Sequence, residues 1–175
     1  MLALRFGAAL AALVMGTGLA LAQGAAKPTD PQIAHIAYTA GEIDIKAANL
    51  ALQKSKNPKV REFATDMVRD HTAVNQQALA LVKKLKVTPQ DNPTSQALVK
   101  QADENRAKLS KLSGAAFDKA YVDNEVAYHK AVDNALQTTL IPSAQNAELK
   151  SLLETGLKIF QGHEQHAEMV QASLK

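Results

Sequence analysis

The side chains with the most chemical reach in this sequence are its histidines: His35, His71, His129, His163 and His166. Three of them stand where a helical apolar stripe calls for a hydrophobic residue. His71 lies between Met67 and Val74, and His163 between Phe160 and Ala167, in steps of three and four. On a wheel of about 100° per residue, His129 falls within about 20° of Val122, Leu136 and Leu140, and Glu125 shares that face about 40° away. The first helical stretch has no histidine on its stripe but carries Glu42 beside Ile43. With a turn near residue 56 and a rise of ~1.5 Å per residue, Glu42 and His71 lie at matching levels, about 21–22 Å from the turn. With a second turn near residue 143, His129 and His163 differ in level by only ~7 Å. Glu42, His71, Glu125, His129 and His163 are therefore expected to converge in a helical core. Imidazole and carboxylate are the usual ligands there for Zn, Fe, Mn or Cu(II). The competing reading is that the core histidines only satisfy one another. Asp70 points about 100° away from His71, so it is expected to orient a group on a neighbouring helix or to form a salt bridge. His166, about 60° from His163, reads as a rim residue.

Several chemistries are excluded. A di-iron centre wants Glu-x-x-His on two helices, but Val68 stands three before His71 and Phe160 three before His163. Glu125 precedes His129 by four. A mononuclear or histidine-rich site fits better. Met67 and Met169 are the only methionines after the leader, too few for a methionine-based Cu(I) carrier. The chain has no cysteine, which removes thiolate zinc sites, iron–sulfur clusters, disulfides and a lipid-modified N-terminal Cys. No nucleophile elbow and no Gly-rich phosphate loop occurs, so no catalytic residue is assigned. Turnover remains only an extension of metal binding. Lys plus Arg is 20 against 17 acidic residues, with no Trp. No basic block and no stacking platform is present for nucleic acid.

The elements that must position these groups read as helices. Residues 1–22 have the form of a cleaved signal peptide: Arg5, an apolar run from Phe6 to Leu21, and Ala20-Leu21-Ala22 before the cut. The mature protein is then expected in the periplasm or otherwise exported, with no further transmembrane segment. Residues 23–29 read as a flexible leader and 30–175 as the folded domain. Asp30 is expected to cap a first helix beginning at Pro31, with Ile33, Ile36, Ala40, Ile43, Ala47 and Leu50 inward. A second helix follows Asn57-Pro58. A third, shorter one spans about 94–112, turning Leu98, Ala102, Leu109 and Leu112 inward. The fourth and fifth span about 115–140 and 146–173. Four long helices in two close pairs, separated by about 28 residues with a helix of their own, predict an all-α, ferritin-like four-helix bundle with one long crossover containing an extra helix, the alternative being an up-down-up-down bundle with an extra helix laid across it.

The same residues carry a resemblance. Gly41-Glu42, the run Phe63-Ala64-Thr65-Asp66-Met67-Val68-Arg69-Asp70-His71, Val87-Thr88-Pro89, Phe117-Asp118, Tyr121, His129 and His163 occur in that order. In this the chain resembles, over about residues 30–173, a large bacterial family of exported ferritin-like bundles. That family is catalogued as a domain of unknown function and often labelled predicted outer membrane protein. The resemblance implies the bundle fold and an envelope location, and it carries no general activity. It departs at Leu157-Lys158, where the family commonly has Leu-Pro, and His166 is outside its pattern. Two function classes follow: metal binding in the cell envelope at a His/Glu-lined core site, or a non-enzymatic envelope stress or interaction module with an envelope protein as partner.

Overall fold

The structure is a computed structural model, and it describes residues 27–174. The expected signal peptide and residues 23–26 of the leader lie outside them. The described chain is all-helical: α1 Asp30–Lys54, α2 Pro58–Leu85, α3 Pro93–Ser110, α4 Gly114–Ala135 and α5 Ala147–Ser173. A π-helical turn, Leu136–Leu140, and one further turn, Ile141–Ser143, extend α4 before α5 begins.

Local chemistry sets the helix starts. Asn57 accepts from the Lys59 N–H at 3.0 Å, with Pro58 as first residue. Asn92 accepts from the Ser95 N–H at 3.1 Å, with Pro93 behind it. In both, a side-chain oxygen satisfies an amide that has no partner in the first turn. Gly114, at φ +56°, makes the tight turn between α3 and α4 that an L side chain would strain. One expected cap is different. Thr29 is the N-cap of α1, its N–H donating to Gln32 Oε1 at 3.0 Å. Asp30 has moved inside the helix, and its carboxylate accepts the backbone N–H groups of Gln145 and Asn146, each at 2.8 Å. Capping the entrance of another helix serves two amides across the bundle, which no local reading of α1 would reveal.

The same long-range bonds fix the topology. Gln90 N–H donates to the Pro31 carbonyl at 3.0 Å and Lys54 Nζ to the Ser110 carbonyl at 2.7 Å. So α2 returns to the start of α1, α3 runs back along α1 to its end, α4 descends beside α2's direction, and α5 climbs. This is a four-helix bundle of α1, α2, α4 and α5, with α3 as the crossover helix packed along α1. No helix among the described residues is long and apolar enough to cross a membrane.

The core is divided. One apolar cluster, including Val60, Phe63, Met67, Phe117, Val122 and Ala167, fills one end. A second, including Ile33, Ile36, Leu136, Leu153 and Phe160, fills the other. Between them the four bundle helices turn polar side chains inward. The close approach of α1 and α2 borders this layer at Gly41, where an added Cβ would lie 2.5 Å from Asn75 Oδ1. Asn75 is buried and held by its bond to Glu42, so it cannot simply swing aside. Gly41→Ala is expected to lower stability by about 1–2 kcal/mol through overpacking. Combining it with Asn75→Ala should recover part of the loss. Urea unfolding of the single and double variants measures this, and a single variant as stable as the wild type would show that the helices can part there without cost.

Candidate metal centre

Each inward polar group sits at the crossing point of its own helix's buried line and the polar layer. Asp44 continues Ala40 towards Ala48 on α1, and His71 follows Met67 on α2. Glu125 and His129 share a face of α4, and His163 lies between Phe160 and Ala167 on α5. All five are buried: Asp44 is 1 %, His71 0 %, Glu125 1 %, His129 0 % and His163 6 % exposed. The imidazole centroids are 4.9 Å apart for His71–His163, 5.8 Å for His129–His163 and 6.0 Å for His71–His129. Phe160 closes one side, its ring 4.6 Å from that of His71 and 5.3 Å from that of His129.

The structure brings together His71, His129, His163 and Glu125. Glu125 lies well inside, on the face of α4 that it shares with His129. Glu42, expected opposite His71, is placed elsewhere: its carboxylate accepts from Asn75 Nδ2 at 2.9 Å, one turn beyond His71. Asp44 takes the position beside His71, with Oδ2 3.5 Å from Nε2. The reason is that α1 buries two faces. Leu50 lines the groove against α3, and Ile43, Ala47 and Leu50 are only partly buried. The true interior line passes through small residues, Ala40, Ala48 and Ala51. An acid spaced by four from alanines on both sides was the signal that larger apolar neighbours obscured.

The imidazoles are held from behind. His163 Nε2 bonds Asp70 Oδ2 at 3.0 Å, and Asp70 in turn accepts from Arg69 Nε at 2.7 Å. Asp70 therefore performs both of its expected roles. Arg69, and secondarily His163, keep its carboxyl below the usual carboxylate range despite partial burial. An ionised Asp70 places the proton of His163 on Nε2, so Nδ1 presents a lone pair towards His71 Nε2, 3.2 Å away. His129 Nδ1 lies 2.8 Å from the Glu125 carbonyl oxygen, to which it donates, leaving Nε2 free. His166 is a rim residue, edge-on to Phe63 and 3.8 Å from Asp66. His35 is part-exposed near Asp91.

Burial sets the charge state. It pushes the Glu125 carboxyl up to about 8. Burial and the charge of Glu125 raise Asp44 well above its ordinary value. Burial, then the neighbouring imidazoles, lowers His71 to about 2, and burial lowers His129 to about 4. The layer thus favours neutral imidazoles and a carboxyl pair that holds on to a proton.

The donor set fits a transition-metal ion. One ligand atom from each of His71, His129 and His163 lies within 4.8 Å of the others, and the same holds for Asp44, Glu125 and His129. Donor atoms around a tetrahedral zinc-type ion with bonds of about 2.1 Å lie about 3.4 Å apart, so these side chains would draw together to take one up. Both oxygens of Asp44, Oε2 of Glu125, Nδ1 of His71 and Nε2 of His129 have no hydrogen-bond partner. Buried polar atoms are rarely left so.

Fold and site together define a helical bundle with a buried histidine–carboxylate layer. The chain belongs to the family described as domain of unknown function (DUF4142), whose model matches residues 17–170. No curated protein and no solved structure matches it.

Proposed function

We propose that this protein is an exported, ferritin-like bundle of the cell envelope that holds one transition-metal ion, Zn, Fe, Mn or Cu, in its core. The observation that carries the reading is the layer itself. Three imidazoles and two carboxylates from four helices meet between two apolar clusters, with five of their atoms lacking any partner. His71, His129, His163, Asp44 and Glu125 would hold the ion. The Asp70 carboxylate and the Glu125 carbonyl would orient two of the imidazoles from behind, as metal-bound histidines require. His129 has a single free nitrogen, because Nδ1 is tied to its own helix. The two donor triads share His129, which supports one ion rather than two. Catalytic metal sites keep an open position, whereas here every donor is at most 6 % exposed, which favours holding an ion over turning over a substrate. Export rests on Arg5, the apolar run and the Ala20-Leu21-Ala22 site.

The test is elemental analysis of untagged protein recovered from the envelope fraction after secretion by its own leader. One equivalent of metal per chain, and an N-terminus at Gln23, are expected. Metal-free protein that also takes up no ion on titration overturns the reading. That result would leave the envelope stress or interaction module, favoured by the His163–Asp70 and His163–His71 bonds that already engage one imidazole fully.

A further inference from the structure

An ion held in this layer has to reach it, and the fold leaves few ways in. All five donors are at most 6 % exposed. Along the bundle axis the two apolar clusters close both ends, with Phe63 and Met67 in one and Leu136 and Leu153 in the other. Carrying a cation through either would cost it its hydration. That leaves the lateral seams between neighbouring helices. Between α1 and α2, Gly41 packs against Asn75, which bonds Glu42. Between α1 and α4, the Tyr128 hydroxyl donates to the Ala40 carbonyl at 3.2 Å. Between α4 and α5, Lys130 pairs with Glu168 at 2.6 Å and Gln171 Nε2 donates to Asp123 at 2.8 Å. None of these links includes a donor of the layer. The link between α2 and α5 does: His163, the most exposed of the five, meets Asp70 Oδ2 with its Nε2 at 3.0 Å.

We propose that the α2–α5 seam is the ion's way in and out of the core, with Asp66 and His166 as a transient docking pair at its mouth and His163 as the first donor reached. The route presupposes the metal-binding reading above. Asp66 and Asp70 stand four apart on α2, and His163 and His166 three apart on α5, so each pair shares a helix face. The two faces are turned to each other: His166 Nδ1 lies 3.8 Å from Asp66 Oδ2, beside the His163–Asp70 bond. Asp66, Asp70 and His166 are 28–29 % exposed and His163 is buried, so the four groups step from solvent to the layer. Arg69 bonds Oδ1 of both acids at 2.7 Å, which holds the carboxylates in place and leaves their Oδ2 atoms to the histidines. At 3.8 Å, Asp66 and His166 are too far apart to be hydrogen-bonded to each other. They offer an arriving cation one carboxylate oxygen and one imidazole nitrogen, the donor types of the core itself. Those two replace part of its water before it passes His163, and stepwise exchange avoids stripping the whole shell in one move.

Uptake of Co(II) by the metal-free protein, followed by stopped-flow visible absorbance, tests the route. In the double variant Asp66→Asn, His166→Gln, uptake and release are both expected to slow about 10-fold, the lower end of what a charged cleft adds to an association rate. Equilibrium affinity and the d–d spectrum are expected to stay as in the wild type, because neither residue belongs to the donor set. Wild-type uptake should also slow more steeply with added salt than the variant's. Glu168→Gln removes one acid from the α4–α5 seam and is expected to leave both rates unchanged. Rates in the double variant equal to the wild type's would overturn the route. So would equal slowing in Glu168→Gln, which makes it an effect of total charge. Weaker binding through faster release alone would overturn it too, because the pair would then support the bound site rather than admit the ion. Wild-type protein that binds no Co(II) at equilibrium overturns the metal-binding reading, and the route with it, a result distinct from normal binding at unchanged rates.

Discussion

Replacing His71 by alanine will abolish ion binding and destabilise the bundle by about 3 kcal/mol, within the range for truncating a large buried side chain. His71 is fully buried, 3.2 Å from His163 Nδ1, 3.5 Å from Asp44 Oδ2, and edge-on to Phe160. Alanine leaves a hole among these groups and strands the His163 lone pair. Leucine at the same position separates the two effects. It continues the buried line from Val60 through Phe63 and Met67, and a volume-conserving apolar replacement costs about 1.5 kcal/mol or less. His71→Leu should therefore remain folded while losing the ion, by well over the roughly 10–100-fold that removing an orienting partner costs. Chemical denaturation and metal titration of the two variants check both halves. If His71→Leu binds the ion as the wild type does, His71 is not a ligand. If it is as unstable as His71→Ala, the imidazole's polar contacts hold the bundle together independently of any ion.

Metal-free protein will lose stability as the pH rises from 6.5 to 8.5, while ion binding tightens over the same interval. The sign follows from the carboxyls. The carboxyl of Glu125 is pushed up to about 8 in the folded chain, against about 4.3 when unfolded. Below the unfolded value both states hold the proton. Above it the unfolded chain ionises freely and the folded one does not, so stability drains away until the folded value is passed. Asp44 acts in the same direction, and so does Asp133, raised to about 7 by burial and Glu164. The histidines act on the other limb. His129 at about 4 and His71 at about 2 contribute stability that is lost as pH falls from about 6.5. Above that point each of them still returns about 0.4 kcal/mol as its unfolded form finishes losing the proton, less than the carboxyls remove. At 1.36 kcal/mol per unit, Glu125 alone costs about 2 kcal/mol between 6.5 and 8, or roughly 4–8 °C in Tm for a chain of this size. A divalent ion competes with those same protons, so a saturating concentration should flatten or reverse the limb. Calorimetry at both pH values, with and without metal, measures it. Glu125→Gln should shrink the alkaline loss, with Asp44 and Asp133 supplying what remains. Metal-free protein equally stable at 8.5 would refute this account of the layer.

Much of this was legible in the chain. Asn57-Pro58 marks a helix entrance because capping and the fixed φ of proline act within three or four residues. His71, His129 and His163 were readable as inward because each interrupts an apolar stripe on its own helix, and periodicity is a property of one helix at a time. The carboxylates were not equally legible. Glu42 and Asp44 are two residues apart, and which one enters the core depends on how α1 is rotated. That rotation is set by α2 on one side and α3 on the other: Gly41 against Asn75, and Leu50 in the α1–α3 groove. The stripe widened by α3 pointed to the wrong edge of α1. Asp30 shows the same limit, since its partners are amides of Gln145 and Asn146. By itself the sequence determined the helices, their order and the three imidazoles turned inward, because capping and apolar spacing are local. Only the tertiary structure decided which acids meet those imidazoles, because the rotation and level of one helix against another are set by side chains packed across their contacts, far apart in the chain.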